Sequence, residues 1–397
     1  MPEPELSAAT LPPRNLAVDA YRGFVMILML AEVLQFHHIA RSFPNSTFWQ
    51  ILGFNQSHVE WTGMSLHDTI QPSFTFLVGV ALPYSLRSRQ RRGETFRRML
   101  GHTLRRSLIL IALGIALRLW STHAVTFEDT LTQIGLGYTF AFLLAFVLPR
   151  WQWTALAAIL FAYWLLWALY PLPPSTFDYA SIGLTPDWQR SHLLHGFAAH
   201  WNKNVNIGHA FDLRFLNLFP RSQPFTYNPG GYLTLSFIPT LGTMILGLIA
   251  GRWFLESSPR IPIRRFVLTG LSLALIALAL HFTGLCPIVK RIWTPSWTLF
   301  SGGVCFLFLA TLSWVIDLRH HRRWAFPLLV VGTNSILAYL LEPLWSHLLD
   351  TPAHRLFDHF PALATSPFEP IPIGLCALLL DALILYALYR KRIFIRI

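Results

Sequence analysis

Thr69-Ile-Gln-Pro-Ser-Phe-Thr-Phe-Leu-Val-Gly-Val-Ala-Leu-Pro-Tyr-Ser-Leu86 is an apolar run that ends directly in Arg87-Ser-Arg-Gln-Arg-Arg92. About 20 such residues cross a bilayer as a helix, and arginines at one end mark the cytoplasmic side. The pattern recurs along the chain. Ten apolar segments qualify: Val18–Phe36, Thr69–Leu86, Ser107–Thr122, Thr132–Leu148, Trp153–Tyr170, Tyr232–Ala250, Phe266–Phe282, Trp297–Ile316, Ala325–His347 and Ile371–Leu388. The expected fold is all-α, a polytopic membrane helix bundle of about ten transmembrane helices. Composition agrees: the chain is 13% charged, about half the share of a soluble domain.

Basic residues orient the bundle. One face collects 21 Lys and Arg, eight of them in Arg87–Arg106, and the opposite face only eight despite longer loops. Both termini are therefore expected in the cytoplasm. The net charge of +12 does not point to nucleic acid, because the basic residues lie in short clusters between apolar segments. Met1 to Asn15 is polar and Pro-rich with no apolar h-region, so the first helix is expected to do the targeting. Cys286, Cys305 and Cys376 fit no disulfide framework or metal motif; they read as core residues, and no metal is expected. The chain reads as one domain, 1–397, with an outer loop insertion at 171–231 that is too rich in Trp and Phe for a linker.

Chemistry gathers just before the second segment, in His58-Val-Glu-Trp-Thr-Gly-Met-Ser-Leu-His-Asp68. His58 and Glu60 share a face if the segment is extended, so that Glu60 could orient the imidazole; the other reading is a histidine that caps the span. Asp68 is either a partner for that ring or a simple N-terminal charge for the next helix. Asp19, Arg22, Glu32, Arg118, Glu342 and Asp381 lie within spans, where each charge costs roughly 2.5–3.5 kcal/mol, so they should pair or face the interior. Asp19 and Arg22 can pair at i, i+3. The arginines of Arg87–Arg106 read either as topology and anionic-lipid contact or as a site for a polyphosphorylated ligand. No Gly-rich phosphate loop and no dinucleotide fingerprint is present.

An ordered set of short blocks carries a resemblance. Val18-Asp-Ala-Tyr-Arg-Gly23, Trp61-x-Gly63, Asp68-x-x-x-Pro72-x-Phe74, Val78-Gly79, Gln133-Ile-Gly135 with Tyr138, Tyr227-Asn-Pro-Gly230, Gly247-x-x-Ala-Gly251, Trp293-x-x-Ser296 and Asn334-Ser-Ile-Leu337 with Tyr339 keep their order over nearly the whole chain. The set resembles the heparan-α-glucosaminide N-acetyltransferase family of transmembrane acyltransferases, in particular its bacterial members. The resemblance implies transfer of an acetyl group from cytoplasmic acetyl-CoA, as co-substrate, to an amino sugar or other glycan acceptor on the outer side of a bacterial plasma membrane. It implies a catalytic histidine three residues before Trp61, which is His58. Two positions depart from the family: an asparagine near the outer end of the first span falls at Val33, next to Glu32, and a histidine late in the Asn-Ser-Ile-Leu helix is Glu342.

On this reading His58 is the reacting group, Glu60 or Asp68 orients it, and Glu32 takes the polar role of the missing asparagine. Arg22, Gln71, Arg105, Arg106, Gln133 and Asn334 are the candidates for holding acetyl-CoA. Trp188, Trp201, Asn202, Lys203, Asn204, Asn206 and His209 offer the aromatic faces and amides that suit a sugar, or form a lid that merely packs. The implied partners are the lipid bilayer, acetyl-CoA, the glycan acceptor and a second copy in a homodimer. Two rival readings remain: a secondary transporter of a glycan precursor or small anion, and a membrane scaffold.

Overall fold

A computed structural model describes residues 15–257, 260–348 and 366–394, without the side chains of 342–348. The Glu342 side chain, and most of 354–370, which the sequence also suggests as a second, shorter outer cover, thus lie outside what is described. The described chain is helical throughout: α1 (Leu16–Leu30), α2 (Phe36–Ser42), α3 (Thr47–Asn55), α4 (Ile70–Arg91), α5 (Phe96–Thr122), α6 (Thr130–Leu144), α7 (Pro149–Ala168), α8 (Pro186–His192), α9 (Ile207–Phe215), α10 (Phe237–Ser257), α11 (Ile263–Phe282), α12 (Pro295–Leu312), α13 (Phe326–Thr333), α14 (Ser335–Leu348) and α15 (Pro370–Arg390).

Each of the ten expected spans coincides with a helix or a bent pair of helices. Six are long and apolar enough to cross a membrane, and up to eight if each bent pair is one span. The two others fall short for visible reasons: α4 carries Gln71, Ser73, Thr75 and arginines at its end, and α6 has only 15 residues. The stretch Arg87–Arg106, read as a loop, is mostly helix. Only Arg92 to Thr95 interrupts it, because Thr95 caps α5 by accepting from the Arg98 amide.

The bends have local causes. α1 continues through a short turn to Leu34, and Gln35 then takes a left-handed conformation, φ 47°, so α2 leaves at 44°. Such a break frees backbone groups that lipid cannot satisfy. The Gln56 side chain takes them up, accepting from the Phe36 amide and donating to the Ala31 carbonyl. The second bend, 73°, falls at Asn334 between α13 and α14.

α10 is the central helix: 83% of its spanning window is buried, against 22–28% for α5, α7, α11 and α15, whose other faces are left for lipid. It packs on α4 through Gly247-x-x-x-Gly251, small residues that let backbones approach. A Cβ on Gly247 would lie 1.9 Å from the Phe76 carbonyl, and one on Gly251 2.3 Å from that of Val80. Charges in the bundle are paired, as their cost requires: Arg22 with Asp19 at 3.4 Å and Arg118 with Glu128 at 2.7 Å. Arg252 donates to the carbonyls of Ala145 and Val147 just beyond α6, groups a helix end leaves orphaned. α4 thus joins two unlike ends of the bundle, the His58 end and the arginine end, roughly 30 Å apart at 1.5 Å per residue.

Gly247→Val should force α4 and α10 apart and cost about 1–3 kcal/mol, seen as a lower unfolding temperature in detergent. Gly101→Ala, whose added methyl meets nothing within 4 Å, should leave that temperature unchanged or slightly higher.

Candidate active site

Ser65-x-x-Asp68 folds the turn that leads into α4. The Ser65 hydroxyl accepts from the Asp68 amide at 3.2 Å, and Asp68 Oδ2 accepts from the Ser65 amide at 3.1 Å. This is a reciprocal capping arrangement. The Asp68 carboxylate therefore faces back into the preceding segment and is not a free charge at the helix start. Its Oδ2 also accepts from the Val59 amide at 3.2 Å, and its Oδ1 lies 2.8 Å from His58 Nδ1. Asp68 is fully buried, whereas the His58 side chain is 38% exposed and so within reach of a ligand.

A third group completes the cluster. Lys290 Nζ lies 3.1 Å from Asp68 Oδ1 and 2.9 Å from His58 Nδ1. Lys290 arrives on the connection between α11 and α12, which pairs with the His58 segment through a bridge from Thr62 to Val289 and the Gly63 amide donating to the Ile288 carbonyl at 3.0 Å. Burial alone would raise the Asp68 carboxyl. The His58 hydrogen bond, the Lys290 charge and the Ser65 amide outweigh it and hold the group ionised, well below the usual carboxylate range. Burial, and then the Lys290 charge, lower the His58 imidazole against the opposing pull of Asp68. At neutral pH the pair is carboxylate and neutral imidazole. Nδ1 faces Asp68 and Lys290, and among the described residues Nε2 makes no hydrogen bond.

His67 packs its ring 4.7 Å from that of His58, and its Nε2 lies 3.3 Å from Glu32 Oε2. Glu32 thus reaches the site through His67.

Glu60 does not orient His58. The segment is irregular, and Glu60 is drawn the other way by the Trp188 indole, which donates at 2.8 Å, and by Lys203 and Arg291 at 3.6 and 3.5 Å. It ties the 171–231 loop to the His58 segment, and Trp61 adds a bond to the Trp201 carbonyl at 3.2 Å. Most of the loop's expected sugar-reading amides are spent on the loop itself. Asn202 bonds both backbone groups of Leu194, Asn204 donates to the Ile182 and Asn228 carbonyls, and Asn206 caps α9. His209 and Asp212, on α9 of the same loop, are buried; burial lowers the imidazole to about 4 and raises the carboxyl to about 6.

The candidates for holding acetyl-CoA do not form one cluster. Gln71 and Gln133 meet at 3.5 Å, and Gln133 also accepts from Thr240 at 3.1 Å. Arg105 and Arg106 line a cavity of about 270 Å³ at the arginine end, with Arg89, His102 and Tyr138; Arg106 donates to the Tyr138 hydroxyl at 3.0 Å. Arg22 stays with Asp19, and Asn334 donates to the Ile393 carbonyl at 3.1 Å. Among the described residues, no group of His, Cys, Asp or Glu could hold a metal ion.

The sequence reading passed over Lys290, counting it only as a loop charge, and named His67 without a role. The pattern Ser65-x-x-Asp68 was a usable signal for the turn. Nothing in spacing connects residue 290 to residue 58.

No protein-family model matches the chain. It is 25% identical over 433 residues to heparan-alpha-glucosaminide N-acetyltransferase of Homo sapiens, covering 98% of this chain and 61% of that protein. It is 24% identical over 441 residues to the Mus musculus protein of the same name, covering 100% of this chain and 62% of that protein. The chain therefore spans less than two thirds of the relatives it matches. The two matches support a family-level relationship.

Glu60→Ala should loosen the 171–231 loop while leaving the His58–Asp68 contact in place. Limited proteolysis would show faster cleavage within 171–183; an unchanged cleavage rate would rule out Glu60 as the tie.

Proposed function

From that family-level relationship to heparan-alpha-glucosaminide N-acetyltransferase, we propose that this chain is a multi-pass membrane acyltransferase that moves an acetyl group from acetyl-CoA to an amino sugar or other glycan acceptor. The observation that carries the reading is the His58–Asp68 pair at one end of the bundle: an accessible imidazole with Nδ1 2.8 Å from a buried carboxylate. A carboxylate on one ring nitrogen fixes the tautomer and leaves the other nitrogen as base or nucleophile.

Two routes are open to such a group. In one, Nε2 attacks the thioester carbonyl, the C–S bond breaks, and the CoA thiolate leaves. The acceptor amine or hydroxyl then attacks the acyl-imidazole, and the imidazole nitrogen departs as the acceptor loses its proton. In the other, Nε2 takes the proton of the acceptor as it attacks the thioester directly. CoA phosphates cannot enter hydrocarbon, so on this reading they stay at the arginine end, in the cavity of Arg105 and Arg106, while the acyl arm passes toward Gln133 and Gln71. The reading sets the protein in a bacterial plasma membrane as a single acyltransferase domain, with both termini cytoplasmic and His58 facing outward.

The two bent helix pairs favour a second reading. α1 and α13 pack together, and broken helices at a common interface occur in secondary transporters. Purified protein with radiolabelled acetyl-CoA and glucosamine separates the two. An acyltransferase releases CoA and labels the sugar, and His58→Ala abolishes both while the protein stays folded. Label held on the wild-type protein before sugar is added marks the acyl-imidazole route. No CoA release with any amino sugar or alcohol, together with uptake into vesicles that survives His58→Ala, would favour the transporter.

Because the His58 imidazole is lowered, the rate should stay flat as the pH on its side drops through about 6.5, the ordinary histidine value, and fall only below it. A fall already centred at or above that value would contradict the lowered imidazole, and a rate with no acid limb at all would contradict a neutral His58 as the reacting group. Arg106→Ala should raise KM for acetyl-CoA several-fold and leave KM for the acceptor unchanged.

A further inference from the structure

Asp68 Oδ1, His58 Nδ1 and Lys290 Nζ form a triangle with sides of 2.8, 2.9 and 3.1 Å. An ammonium has three donors and no acceptor, so Nδ1 cannot donate to it; with Nδ1–H on the shared carboxylate oxygen both nitrogens donate to Asp68, and the 2.9 Å side sets two donors against each other. Lys290 is 5% exposed, so little water screens its charge from the ring. An imidazolium at His58 would set a second positive charge 2.9 Å from the ammonium, with one carboxylate oxygen between them.

We propose that Lys290 is a positioning residue of this site: its ammonium, anchored by Asp68, holds His58 as the neutral imidazole with Nδ1–H on Asp68 and the lone pair on Nε2. A His–Asp pair alone has the opposite bias, since a buried carboxylate favours the protonated ring. The other charged or titratable groups around the ring are His67 at 4.7 Å, Glu32 behind it, and Arg291, which reaches the Val59 carbonyl at 3.4 Å, with Glu60 beside it. Among them Lys290 is the cation that contacts the ring. On the acyltransferase reading, on which the reaction part of this inference rests, the same charge makes the imidazole a better leaving group from its acyl form.

The test reads the ring without turnover. Diethyl pyrocarbonate acylates neutral imidazole, and peptide mass locates the modification at residue 58. With full-length protein in detergent, the wild type should be modified with a midpoint below pH 6.5, the ordinary value. Lys290→Met should move the midpoint upward and slow modification about tenfold on the acid side, a shift of the size one close charge produces. Lys290→Arg, which keeps the charge, should restore the wild-type profile. A wild-type midpoint at or above 6.5, or a folded Lys290→Met protein with an unchanged profile, overturns the proposal. If Lys290→Met does not fold, Lys290→Gln and the wild-type midpoint still decide. In acetyl transfer the acid limb of kcat should move with the modification profile, with KM for acetyl-CoA unchanged. A shifted modification profile without any transfer would support Lys290 and count against the acyltransferase reading, so the two fail separately.

Discussion

A fully buried carboxylate is the constraint on which the His58 end depends. Burying an unpaired charge costs several kcal/mol, and Asp68 avoids that only by collecting partners from three directions: the Val59 and Ser65 amides, the His58 ring and the Lys290 ammonium. Each partner fixes a different piece of chain. Ser65 sets the turn into α4, His58 and Val59 set the approach from α3, and Lys290 pins the α11–α12 connection. The exposed ring is thus held by a carboxylate that is itself fully buried.

The bundle below supplies rigidity. α10 and α4 meet backbone to backbone at Gly247 and Gly251, so the helix that follows the Asp68 turn cannot shift along its central neighbour without a clash. The same close fit is repeated where Gly23 of α1 meets the Leu328 carbonyl of α13. Where the backbone does break, at Gln35, a side-chain amide from Gln56 replaces the missing helix bonds.

The sequence was most legible where the signal is local. Every expected span coincides with a helix or a bent pair, because a run of apolar residues has few other solutions in a bilayer. Their edges were less so: Arg97 and Arg98 are helical although charged, since long side chains at a helix end reach water on their own. His58 and Asp68, ten residues apart, came together, which was one of the two readings open for Asp68. Glu60 did not join them, because its fate is decided by Lys203 and Arg291, which are distant in sequence. Lys290 was hidden for the same reason, as a pairing across 232 residues leaves no trace in spacing. The loop amides looked like sugar ligands because asparagine serves both recognition and turn-making, and here the turns claim most of them.

The bridge from Thr62 to Val289 has a consequence for how the protein is made. Synthesis delivers the chain from its N-terminus, so α1 to α10 enter the membrane before Lys290 exists. Through that interval Asp68 has only nearby amides and His58 to answer its charge. The set of contacts around Asp68 is complete only when the α11–α12 connection closes over it. Assembly of the second half is then also the step that completes this end of the bundle, and a chain stopped before residue 290 leaves the buried carboxylate one cation short.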